Sequence, residues 1–149
     1  MRPPPLTDPE DHKPLRWVGS SRDDVRELPA EVCDRLGFAL RQAQAGVTPD
    51  SAKPLHGLGR AGVWELVEDH DTNTYRGVYA VCFAEAVYVL HVFQKKSKRG
   101  SETPRHDMAL IRARLHEAEE DHARRTTSAE VLTPRHSRKR SRASQPPRR

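Results

Sequence analysis

The chain has 149 residues, enough for one domain with a little to spare. Apolar residues make up 35%, aromatics 5% and charged residues 32%, a balance that can close one modest core but excludes a large enzyme with a deep pocket of its own. The net charge of +5 is unevenly placed. Residues 124–149 hold nine Lys/Arg and one acid, Glu130, leaving 17 basic and 20 acidic side chains for the rest, so the basic character belongs to the tail and not to the domain.

Residues 1–14 contain five prolines and several charges and read as a disordered arm. Leu15-Arg16-Trp17-Val18 is a short strand candidate. Ser20 to Asp24 supplies cap-type residues and early acids, which suit a short helix with Val25 and Leu28 on its apolar side and Pro29 as its stop. A second helix is expected from Ala30 to about Ala45, because Val32, Leu36, Ala39, Leu40 and Ala43 recur at spacings of three and four and Gly46 can end it. The two make a helical hairpin. A loop with Pro49, Pro54 and glycines 57, 59 and 62 follows.

The period then changes to two. Val63–Asp69, Thr74–Phe83 and Ala86–Lys95 are strand candidates, and their short links force antiparallel neighbours, hence a β-meander. Trp64 and Leu66 share a face and read as core. After a polar, basic loop over 96–102, Thr103 fits an N-cap and Pro104 the first helical position. Met108, Ile111, Leu115 and Ala118 mark one apolar stripe through about His122. From Arg124 the periodicity is lost, as in a disordered basic tail. The expected organisation is an arm over 1–14, a domain over 15–123 and a tail over 124–149.

Several function classes find no support. The longest apolar stretch, around Ala86 to Phe93, is far short of the ~20 residues of a membrane span, and the start shows no apolar signal region, so the chain reads as cytoplasmic. Cys33 and Cys82 read as two buried thiols and not as a disulfide. The eight histidines lack a metal-ligand spacing, and no phosphate-cradling glycine motif is present, so neither a metal nor a cofactor is expected.

A basic cluster is the main functional hint. If the second strand turn centres on Glu85, antiparallel partners sum to about 170, which brings Arg76 near Gln94, beside Lys95 and Lys96. Lys98, Arg99 and Arg105 follow, with His91 on the same strand and Tyr75 at the border. Two readings of His91 fit equally, a proton-transfer group and a half-buried core histidine. Tyr75 can stack on a base or fill a strand, and Lys53 can meet a phosphate or solvate its loop. His56 sits between flexible loop residues from which it can approach RNA. Glu65 and Glu68 read as salt-bridge partners.

In this order, Lys53-Pro54-Leu55, Trp64-Glu65-Leu66, Tyr75-Arg76, Phe93-Gln94-Lys95-Lys96-Ser97 and Thr103-Pro104 give the chain a recognisable pattern. Over about residues 15–120 it resembles the phage-related, HigB-like branch of the RelE/ParE toxin superfamily. The resemblance implies an α+β, RelE-like fold: an N-terminal helical hairpin packed on a small antiparallel meander, with a C-terminal helix. It also implies the toxin of a type II toxin-antitoxin system, an endoribonuclease that cuts translated mRNA on the ribosome without a metal and is silenced by a HigA-like helix-turn-helix antitoxin. Arg76, Lys95, Lys96 and His91 would then be catalytic, and Lys53, Tyr75, Lys98, Arg99 and Arg105 would bind mRNA or ribosomal RNA. Two other functions remain open: a ParE-like inhibitor of gyrase, and a non-catalytic nucleic-acid-binding phage accessory protein whose basic tail does the binding.

Overall fold

Alternating apolar residues between positions 63 and 95 produce the three long strands that organise the molecule. The computed structural model describes residues 12–95 and 103–132. In chain order the elements are β1 (Leu15–Trp17), α1 (Ser21–Arg26), α2 (Ala30–Gln44), β2 (Ala52–Pro54), β3 (Val63–His70), β4 (Asn73–Phe83), β5 (Ala86–Lys95) and α3 (Arg105–Leu132). The sheet order is β1-β5-β4-β3-β2. Strands β2 to β5 run antiparallel in sequence, as the short turns require, but β1 joins the far edge parallel to β5. The sheet is therefore mixed and five-stranded, larger than the meander expected. Strand β2 was unexpected because Ala52-Lys53-Pro54 is too short to alternate, and a proline is tolerated there only because β2 is an edge.

The two faces of the sheet carry two separate cores. On one, Val32, Leu36, Leu40 and Ala43 of α2 meet Leu66, Tyr75, Tyr79, Val87, Val89 and Val92. On the other, Ile111, Leu115 and Ala118 of α3 cover Val63, Val78, Ala80, Tyr88 and Leu90. Two-residue links make both hairpins. Asp71 and Thr72 have φ of 56° and 67°, the left-handed pair of a type I′ turn, which matches strand twist. Both cysteines are free thiols, partly and not fully buried.

A bulge in β5 decides which residues share a face. Tyr79 pairs with Val89 but Val78 with His91, so Leu90 is the extra residue. Beyond it the alternation is reversed. His91, Phe93 and Lys95 turn to the α3 side, and Arg76 lies opposite Phe93 where the simple register put Gln94.

The chain divides into two units, Met1–Ala118 and Glu119–Arg149. In the second, α3 continues to Leu132, past the expected end near His122 and into the stretch read as disordered tail. The expectation followed the apolar stripe, but the i,i+4 pair of Asp121 with Arg125, 2.8 Å, supports a helix without an apolar face. No helix among the described residues is long and apolar enough to cross a membrane.

Candidate functional site

The registers place Lys53, Glu65, Val78 and His91 in one row across β2, β3, β4 and β5, with Val67, Arg76 and Phe93 in the next row and Asp69, Thr74 and Lys95 beyond. All of these rows face the side that α3 covers. Glu65 occupies an inward strand position between Val63 and Val67, where alternation calls for an apolar residue, and is only 2% exposed. Such a charge needs partners. Arg76, 3% exposed, supplies the strongest: its guanidinium donates to Glu65 Oε2 at 2.6 Å. The Thr103 hydroxyl donates to the same oxygen at 3.0 Å, and Lys53 Nζ stands 3.8 Å from Oε1.

Thr103 was expected to cap α3. Its hydroxyl goes to Glu65 instead, and the Pro104 carbonyl accepts the first helical bond, from Met108 at 2.9 Å. The first turn of α3 is pinned to the sheet a second time. Asp107 Oδ1 lies 2.8 Å from His91 Nε2, which must donate, leaving Nδ1 as the second ring nitrogen. That Nδ1 is buried and has no hydrogen-bond partner among the described residues. The imidazole is 7% exposed and stacks on Phe93, ring centroids 4.6 Å apart and planes 15° from parallel. Both readings of His91 survive this geometry, since a core histidine with a carboxylate partner looks the same.

A surface cleft of about 540 Å³ opens beside the buried pair, its walls including Lys53, His56, Gly57, Glu65, Thr103 and Met108. The Lys53 side chain remains 47% exposed at this cleft. Arg112 of α3 donates to the Gly57 carbonyl at 2.8 Å, which ties the glycine loop to the helix.

Of the residues singled out from sequence, Lys53, Arg76, His91 and Lys95 therefore share one face of the sheet, and Lys95 is 7% exposed. Tyr75 does not join them: it is buried in the α2 core, on the opposite face. Arg105 is the exposed first residue of α3. Lys96, Lys98 and Arg99 lie outside the described residues, as do residues 1–11 of the expected arm and 133–149 of the tail. Glu65 and Glu68 do form salt bridges, Glu68 with Arg35 at 3.8 Å. The centrality of Glu65, the bond that Thr103 makes to it and any role for Asp107 were not foreseen. The available signal was a charged residue at an inward position of β3.

The family described as Phage derived protein Gp49-like (DUF891) matches residues 23–116, more than half of the chain. No curated protein matches it. Among solved structures it is similar to a mutant of the E. coli toxin RelE in the free state, at 19% identity, over 58% of this chain and 87% of that one, with a TM-score of 0.46. It is also similar to the toxin-antitoxin complex RelBE2 from Mycobacterium tuberculosis, at 20% identity, over 56% of this chain and 99% of that one, with a TM-score of 0.40. With a match that takes in residues of both cores and the buried Arg76–Glu65 pair, the chain belongs to the phage-derived Gp49-like family.

Proposed function

We propose that the protein is the toxin of a type II toxin-antitoxin system and acts in the cytoplasm as a metal-independent endoribonuclease on ribosome-bound mRNA. The observation that supports this most is the clustering of Arg76, Lys53, Lys95 and His91 on one sheet face beside an open cleft. Cleavage by the ribose 2′-hydroxyl forms an O2′–P bond and breaks the P–O5′ bond. It needs a proton acceptor for the 2′-OH, positive charge on the phosphorane-like transition state and a proton for the departing 5′-oxygen.

Arg76 fits the charge-stabilising role. Its guanidinium keeps its proton at ordinary pH, and Glu65 holds the planar fork in one orientation while occupying part of its five-donor edge. Lys95, with Lys96 following it in sequence, adds positive charge. His91 is the candidate proton carrier: Asp107 fixes its tautomer through Nε2 and reserves Nδ1 for transfer. The natural partner is a HigA-like antitoxin with a helix-turn-helix domain, encoded beside the toxin.

The test is cleavage of a defined mRNA in a translation extract, with the chemistry of the new ends determined. Fragments with 5′-hydroxyl and 2′,3′-cyclic phosphate ends, formed only while ribosomes translate, are expected. An intact mRNA alongside inhibited gyrase would favour the ParE-like function instead. RNA binding without cuts would favour the accessory protein.

A further inference from the structure

The bulge in β5 is held from outside the strands that flank it. Among the described residues, Leu90 has a register partner on neither neighbour: β4 passes from Val78↔His91 to Tyr79↔Val89, and β1 ends with Trp17 opposite Val89. Leu90 is fully buried, and a buried carbonyl at a break in the ladder needs a donor from elsewhere. Arg114 of α3 supplies one, its Nη1 donating to the Leu90 carbonyl oxygen at 3.0 Å. The preceding carbonyl, that of Val89, accepts from the Val18 amide at 3.0 Å and from the hydroxyl of the buried Ser21 at 3.2 Å.

The guanidinium is itself supported. Its Nη2 donates to Ser20 Oγ at 3.1 Å, and that hydroxyl donates on to Asp24 Oδ2 at 2.8 Å, so an acid in the first turn of α1 backs the arginine's charge. Gly19 leaves room for it: φ is +59°, and a Cβ there would stand 2.7 Å from Arg114 Nε. On α3, Arg114 follows Asp107 by seven positions, about two turns, so the two occupy one stripe of the helix. Asp107 takes the ring of His91 and Arg114 the carbonyl of Leu90. Both residues that the bulge turns to this face are thus gripped by α3.

We infer that Arg114 is a positioning residue: it locks the Leu90 bulge and thereby holds the His91 ring toward Asp107. Without the bulge, the alternation of β5 would run on unbroken. It would set Val92 and Gln94 on the α3 side and turn His91, Phe93 and Lys95 to the α2 side. The inference rests on the nuclease reading for its effect on rate, and on the bulge alone for its effect on structure.

The test uses the full chain with Arg114→Met, which keeps an unbranched stem without a donor, and Gly19→Ala, which crowds the guanidinium without removing it. Imidazole nitrogen NMR, with the His91 signals assigned against His91→Gln, reads the ring directly. The wild type should show one fixed tautomer with its proton on Nε2. Both variants should lose it while circular dichroism reports a folded protein, and either one suffices if the other fails to fold. The saturating rate of mRNA cleavage should fall roughly 10²-fold, as a misplacement of about 1 Å can cause, with KM within about twofold. Arg114→Lys, which retains a donor, should recover part of both signals. A folded variant with the wild-type tautomer and rate overturns the inference, as does lost stability with an unchanged His91 ring. Loss of the tautomer in the variants of a protein that cuts no mRNA would leave the positioning role standing and remove the nuclease. An unchanged ring in an active nuclease would do the reverse.

Discussion

Arg76 and Glu65 stand on neighbouring strands, out of register by two residues, and their side chains close an ion pair of 2.6 Å with almost no exposure to solvent. This pairing changes what substitution of Arg76 would report. Removing a single partner of a buried pair leaves an uncompensated charge and costs about 3–5 kcal/mol, whereas replacing both with apolar residues of similar volume is often close to neutral. Arg76→Ala should therefore lower stability by that amount, and Glu65→Leu/Arg76→Met should recover most of it. Neither should cut RNA. Denaturant unfolding of the two single variants and the double variant measures the coupling. Additive losses would mean that the pair contributes nothing as a unit.

Loss of one preorganised donor in a site of this kind typically costs about 10²–10³ in rate. The double variant, folded but without the guanidinium, should show at least that loss in mRNA cleavage. His91→Gln keeps a donor near Asp107 but offers no titrating nitrogen. If His91 carries a proton, the variant should lose rate while melting near the wild-type temperature. Unchanged cleavage with lower stability would make His91 a packing residue.

Much of this architecture was readable from the residues. The three long strands, the helical hairpin and the start of α3 follow from apolar spacing, and β5 runs over Ala86–Lys95 as expected. What alternation alone could not reveal is the bulge at Leu90, because a single extra residue leaves the apolar pattern of β5 almost unchanged while reversing which side chains share a face. It is this reversal that sets Phe93 opposite Arg76 and brings His91 and Lys95 to its side. Strand β1 was expected near Leu15–Val18, but its parallel pairing with β5 was not, and the edge strand β2, at three residues, is too short to carry a period. Tyr75 is separated from Arg76 by the pleat, since neighbours on a strand point to opposite faces.

Thr72 is a β-branched residue held at φ 67°, in the second central position of the type I′ turn between β3 and β4. That conformation costs an ordinary residue roughly 1–2 kcal/mol. Thr72→Gly should raise stability by about 1 kcal/mol once the added chain entropy of glycine is set against the relieved strain. Thermal melting would show a higher midpoint. A lower one would mean that the threonine contributes contacts that outweigh its strain.

Burial pushes the Tyr79 phenol up to about 12. The folded protein thus favours the neutral form above the ordinary value of about 10. The corresponding stability is fully present below about pH 10 and is lost as the pH rises through about 12. Unfolding midpoints across this alkaline range should fall more steeply for the wild type than for Tyr79→Phe, which has no phenol to ionise. Parallel curves would contradict the assignment.

Residues 133–149 contain seven Lys/Arg and no acid. Truncation after Leu132, the last residue of α3, should keep the fold and the cleavage sites while reducing the salt dependence of ribosome co-sedimentation, because fewer counterions are released. Truncation after Ala123 also removes helical residues and should lower helix content. Identical salt slopes for full-length and truncated proteins would exclude the tail from RNA contact.

The most direct measurement is transcriptome-wide mapping of mRNA 5′ ends after induction of the wild type and of Glu65→Leu/Arg76→Met at matched protein levels, without antitoxin. A buried Arg76 that stabilises the cleavage transition state predicts new 5′-hydroxyl ends within translated reading frames for the wild type, abolished by a translation inhibitor and absent from the folded double variant. Growth arrest with intact transcripts, or the same new ends in the double variant, would contradict it.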